Sequence, residues 1–159
     1  MKIDIIAVGK IKEKYLKMGI QEYQKRLQSY AKVQVFEVPD EKTLEGGSQR
    51  EIDIIREKEG RGILKKIPEG AVVIVLAIEG KMLSSEALAE TFREYGLRGN
   101  SHMAFIIGGS MGLSAEVLSR SDLRLSFSKM TFPHQLMRLI LVEQIYRSFK
   151  ILKNEPYHK

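Results

Sequence analysis

The stretch AVVIVLAI at residues 71–78 decides the fold. It is almost unbroken Val, Ile and Leu, as in a strand covered on both faces; a strand with one wet face would alternate apolar and polar residues. HMAFII at 102–107 reads the same way, and both runs stop at turn residues, Glu79-Gly80 and Gly108-Gly109. These two strands are expected in the middle of a sheet. Outward from them, apolar runs rich in β-branched residues recur at 3–8 and 33–38. Stretches with helical periodicity lie between the runs, which predicts an α/β fold with a mostly parallel sheet covered by helices.

Ser84 or Ser85 can cap a helix whose stripe is Ala87, Leu88, Thr91, Phe92 and Tyr95, ended by Gly96 and Gly99. A longer helix is predicted from Pro133, a good first-turn residue, to about residue 153. It carries two apolar stripes, Leu139, Val142, Tyr146 and Phe149 on one side and Leu141, Ile145 and Leu152 on another. Two stripes call for two burial partners, the chain's own sheet and the same helix of a second copy, so a homodimer is expected. Full burial inside one chain is the alternative. The acids and paired glycines of 40–47 read as a loop.

A chain of 159 residues with 43% hydrophobic content supports one core, so a single domain over 1–159 is expected. No run approaches the roughly 20 apolar residues of a membrane span. The start MKIDIIAVGK, with an acid inside a short apolar run, is unlike a signal peptide. A soluble, cytoplasmic protein is expected. With no cysteine, and with His102, His134 and His158 isolated from one another, a metal site is not expected. The net charge of +6 favours a polyanionic partner. That charge is segregated: residues 10–32 hold seven Lys/Arg against two acids, whereas residues 37–59 hold eight acids against four bases. Lys10, Lys12, Lys14, Lys17, Lys25 and Arg26 are therefore a candidate RNA-facing surface, although a basic run on a helix is as readily a solvated face.

Three segments follow apolar strands: LAIEGKMLSS (76–85), IIGGSMGLS (106–114) and LSFSKMTFPH (125–134). In open α/β folds ligands settle beyond the carboxyl ends of the strands, so three such loops make a plausible pocket. The Gly-Gly pair permits close backbone approach, but it has neither the dinucleotide fingerprint nor the Gly-Lys-Ser/Thr ending of a P-loop. His134 opens the long helix, where the dipole disfavours its protonation, and reads first as structural. The tail carries an aromatic ring, an imidazole and a cation in Tyr157, His158 and Lys159, a trio able to stack on a base and hold a phosphate; a frayed terminus is the bland reading.

Three ordered segments, FIIGGSMGLS (105–114), LSFSKMTFPHQLMRLILVEQIYRSFKI (125–151) and EPYHK (155–159), resemble the bacterial large-subunit rRNA pseudouridine N3-methyltransferases, small proteins of the SPOUT class. The resemblance covers essentially the whole chain. It implies a deep trefoil knot in the carboxyl half, bound S-adenosylmethionine, and a pseudouridine in helix 69 of large-subunit rRNA as substrate, within assembled ribosomes. By motif, it places cofactor contacts on Leu76, Gly108, Phe127, Ser128, Lys129, Met130, Thr131 and Phe132, mostly through backbone. It gives Tyr157 and His158 a role at the substrate and Lys159 a place against RNA, with His158 or Lys159 assisting loss of the N3 proton. Many relatives carry an acid directly after the leucine of the first loop, whereas this chain has Ala77 there and its first acid at Glu79. A non-catalytic ribosome-binding or assembly factor is the competing class; it explains the charge but not the loops.

Overall fold

The computed structural model describes residues 1–41 and 47–159. Most of the loop expected at 40–47 lies outside the described residues. Ten elements follow in order: β1 (Lys2–Val8), α1 (Lys14–Leu27), β2 (Lys32–Val38), α2 (Gln49–Lys66), β3 (Val72–Met82), α3 (Ser85–Leu97), β4 (His102–Ile107), α4 (Ala115–Arg120), β5 (Leu123–Ser126) and α5 (His134–Leu152). The five strands are all parallel, in the order β2-β1-β4-β3-β5. β3 and β4 are interior, as their composition predicts, and β1 shares that position.

Strand alternation divides the core. Ile3, Ile5, Met103, Phe105 and Ile74 pack with α1, α3 and α5, while Ile6, Val8, Val73, Val75, Ala104 and Ile106 pack with α2 and α4. Both faces are dry, which is why the strands tolerate unbroken apolar sequence.

β3 runs to Met82, beyond the expected end at 78. Leu76 pairs with Leu125, the ladder breaks, and Lys81 pairs with Leu125 again before Met82 meets Ser126. Residues 77–80 therefore arch out of the sheet. Gly80 makes the arch possible: a Cβ there would lie 2.8 Å from the Arg124 backbone. α3 starts as predicted, with the Ala87 N–H donating to Ser84 Oγ at 3.0 Å. It passes through Gly96 and stops before Gly99, whose φ of +86° is the left-handed conformation that ends helices.

In α5 both stripes are covered within one chain. Leu141, Val142, Ile145, Tyr146 and Phe149 are buried, and Leu139 and Leu152 are half-buried. Tyr23 and Tyr30 pack on Tyr146, and Phe92 stacks on Phe149. The two stripes therefore do not by themselves call for a second copy. α1 and α3 flank the helix and supply the second burial partner that the periodicity demands. Arg138, 2% exposed, ties α5 to the strand ends by donating to Glu37 Oε2 at 2.8 Å and to the Gly9 carbonyl at 3.0 Å. Burial alone would raise the Glu37 carboxyl; the Arg138 guanidinium and the Ile11 N–H outweigh it and hold it below the usual carboxylate range.

Candidate active site

Beyond the carboxyl ends of β3, β4 and β5 lies a cavity of about 490 Å³, within the size range of small-molecule sites. The three loops singled out from sequence line it. Leu76, Gly108, Phe127, Ser128, Met130, Thr131 and Phe132 are all at its wall, while Lys129 is exposed and outside the lining. Ile107, Leu113 and Leu125 add apolar surface. The 126–130 turn holds itself in shape: Ser126 Oγ donates to the Ser128 carbonyl, and the Met130 N–H donates to Ser128 Oγ at 2.9 Å. Gly108 is needed for a reason internal to its loop. A Cβ there would sit 2.9 Å from Leu113 Cδ2 and 3.3 Å from the Gly112 carbonyl carbon, so the glycine lets the chain fold back on itself.

Few charges reach this wall. Arg56 comes from α2 and donates through Nε to the Met111 carbonyl. Glu79 comes from the arch in β3, and His134 from the start of α5. One turn beyond Arg56, Glu59 is buried against Gly109. Burial, with the Asp40 and Glu41 carboxylates close by, pushes Glu59 up to about 7 even though it accepts the Glu41 N–H at 3.0 Å.

Neither Tyr157 nor His158 lines the cavity. The tail turns at Asn154, with a φ of 53°, and docks on its own helix. Tyr157 donates to Glu143 Oε1 at 3.1 Å and lies edge-on to Tyr146, with the Arg147 guanidinium 4.8 Å from its ring centre. Burial, helped by the Glu143 carboxylate and Tyr23, raises its phenol above the usual range. His158 has Nδ1 3.0 Å from Arg147 Nη1 and Nε2 2.6 Å from Glu86 Oε1. A guanidinium can only donate, so Nδ1 accepts and Nε2–H donates to the carboxylate. Both nitrogens are engaged, and no lone pair is left to act as a base.

Lys10, Lys12, Lys14, Lys17 and Lys25 are exposed, and so is Lys159 at the other end of the chain. The Lys10 carbonyl accepts from Gln135 at 3.1 Å, which sets this basic segment beside the first turn of α5. Arg26 is exposed but occupied, paired with Glu22 at 3.1 Å and lying over the rings of Tyr23 and Tyr146.

A family model described as "Predicted SPOUT methyltransferase" matches residues 1–158. The chain belongs to the SPOUT methyltransferase family. It is 61% identical over 159 residues to a ribosomal RNA large subunit methyltransferase H of Alkaliphilus oremlandii. It is 60% identical to a protein of that name from Clostridioides difficile and 58% to one from Bacillus pumilus. Each alignment covers 100% of both chains.

Motif reading of this SPOUT methyltransferase found the cavity's backbone and apolar wall but missed Arg56, which lines it, and Glu59, which backs its glycine loop. Arg56 and Glu59 lie on α2, far in sequence from the glycine loop, and nothing local marks them. The faint signal is Glu59-Gly60, an acid and a glycine on the buried side of a helix. A Cβ on Gly60 would meet Ser114 Oγ at 2.4 Å, so the glycine allows α2 to lie directly on the end of the glycine loop. His134, read first as structural, stands at the cavity wall.

Proposed function

We propose that this chain transfers a methyl group from S-adenosylmethionine to N3 of a pseudouridine in helix 69 of large-subunit rRNA, in assembled ribosomes in the cytoplasm. The observation that carries this reading is the strand-end cavity, apolar in its side chains and rich in accessible backbone. The full-length identity to proteins named as rRNA methyltransferases points to the substrate. The residues present fit the donor. Leu76, Phe127 and Phe132 suit enclosure of a purine, main-chain groups of 108–112 and 126–131 suit reading its edge, and Arg56 and Glu79 offer opposite charges for an amino-acid arm. When bound, S-adenosylmethionine supplies an electrophilic methyl group on a sulfonium. What the protein contributes is alignment of the acceptor nitrogen and exclusion of water, as an in-line displacement requires.

The 1–159 chain acts on this reading as one knotted domain, paired in a homodimer. The tail supports the pairing, since Tyr157 and His158 lie off the cavity of their own subunit and can complete that of the other. Exposed Ile78 and Met130 at the cavity rim, 55% and 73% accessible, suit cover by a second copy. His158, with both nitrogens engaged, meets the target base through its ring face and does not take its proton. Lys10, Lys12, Lys14, Lys17, Lys25 and Lys159 track phosphates; Arg26 joins them only by leaving Glu22.

Mass spectrometry of nucleosides from large-subunit rRNA of cells lacking the gene tests this. One N3-methylpseudouridine is expected to disappear, and to return when purified protein and S-adenosylmethionine are added to the isolated ribosomes. Unchanged nucleosides would overturn the reading.

A further inference from the structure

Glu59 lines no part of the cavity, yet it touches the loop that does. It is 4% exposed, its Oε2 accepts the Glu41 N–H at 3.0 Å, and its Oε1 is buried with no hydrogen-bond partner among the described residues. A Cβ on Gly109 would lie 3.2 Å from that Oε1 and 3.1 Å from Val8, so the loop backbone rests against the carboxyl without room for a side chain. One turn earlier Arg56 holds the Met111 carbonyl, and one residue later Gly60 lies against Ser114. A single face of α2 therefore backs the 108–114 segment at three points, two of them polar or close-packed and one a carboxyl with a free, buried oxygen.

We propose that Glu59 is a positioning residue of the cavity, its uncharged carboxyl seating Gly109 and so fixing how the 108–112 backbone meets the ligand. The proposal rests on reading the cavity as the methyl donor's site. A neutral carboxyl can occupy such a position, whereas an ionised one would leave a buried charge with no counter-ion among the described residues. The charged groups around it do not relieve that. Asp40 and Glu41, from the segment after β2, are of like charge. On α2, Lys58 pairs with Glu41 at 3.4 Å and Arg56 turns to the loop carbonyl. β1 presents Val8 and the loop presents Gly109, neither with a charge. Because the folded protein holds this group above its unfolded value, the stabilisation is complete below the ordinary carboxylate range. It is lost as pH rises through about 7.

The experiment uses the full chain and its Glu59→Gln variant, which keeps a neutral polar group of the same shape. Calorimetry with S-adenosylmethionine from about pH 6 to about pH 8.5 should show wild-type affinity falling, by roughly tenfold, while Glu59→Gln stays flat. Asp40→Asn removes a like charge that disfavours ionisation of Glu59, so it should move the midpoint to lower pH, and a shift upward counts against the arrangement. Hydrogen exchange at 108–112, corrected for intrinsic rates, reads the same seating without any ligand. The amides should loosen above about pH 7 in the wild type and not in Glu59→Gln. A pH dependence that persists in Glu59→Gln belongs to another group and overturns the proposal. Flat exchange in the wild type overturns it too. Absence of S-adenosylmethionine binding at every pH, with the exchange pattern as expected, would instead sink the donor reading and leave the seating of Gly109 in place.

Discussion

The strand-end cavity and the carboxyl-terminal tail were both read from sequence as places for chemistry, and they are built in opposite ways. The cavity wall is apolar side chains and loop backbone, with Arg56, Glu79 and His134 the charged or titratable groups that reach it. The tail is a closed polar network. Tyr157, His158, Arg147, Glu143 and Glu86 bond to one another, while Glu155 accepts from Tyr30 at 2.8 Å and from Lys150 at 3.0 Å. A concave apolar wall with accessible backbone gains from a ligand, whereas a network with its donors and acceptors already engaged must keep its shape or exchange partners to act. The cavity wall is open, whereas the tail is docked on its own helix and on α3, off that cavity.

Breaking the floor beneath the tail should have the largest effect. Tyr146, 7% exposed, is packed by Tyr23, Tyr30 and Tyr157. Tyr146→Asp places a carboxylate there and should cost about 4 kcal/mol or prevent folding, read by thermal unfolding. A stable, folded variant would mean the cluster is not the support it looks to be. At the cavity, Gly108→Val pushes Leu113 and the Gly112 backbone aside and should weaken S-adenosylmethionine binding by roughly a hundredfold while the tail network stays intact. Unaltered affinity in a folded variant would remove the glycine loop from the donor site.

Deleting residues 157–159 should leave donor affinity unchanged and lower single-turnover methylation by about tenfold, since positioning and not the bulk of binding is lost. Normal turnover would return the tail to the status of a docked terminus. The smallest effect is on pH. Glu86 is held below the usual carboxylate range by its hydrogen bond from His158, and Glu155 by Lys150 and Tyr30. Groups held low in the folded state add stability above the unfolded carboxylate range, and it is lost as pH falls through their folded values. Acidification should therefore release the tail before the core, seen as early loss of amide protection at 155–158; simultaneous loss with β4 would contradict this.

Much of this was legible in the chain itself. Near-continuous apolar residues at 71–78 and 103–107 specify strands dry on both faces, because a strand with one wet face would alternate apolar and polar residues. The three strand-end motifs located the cavity wall for the same local reason: turn residues after a strand are visible in sequence. Lys129, given by the same motif, stands exposed outside the cavity lining, because motif spacing does not say which residues of a short turn face the cavity.

What only the tertiary structure decided concerns partners distant in sequence. The two stripes of α5 state that burial is needed but not by what, and the fold supplies α1 and α3 within the chain. Residues 77–80 arch because Lys81 re-pairs with a residue that Leu76 already pairs with, a register that depends on β5. Glu59 meets Gly109 across fifty residues of chain. Local sequence fixes which residues must leave water, since that depends on each side chain's own transfer free energy. Which groups they meet depends on how the helices close over the sheet, and that is where the buried carboxyl, the engaged histidine and the charges of the cavity were determined.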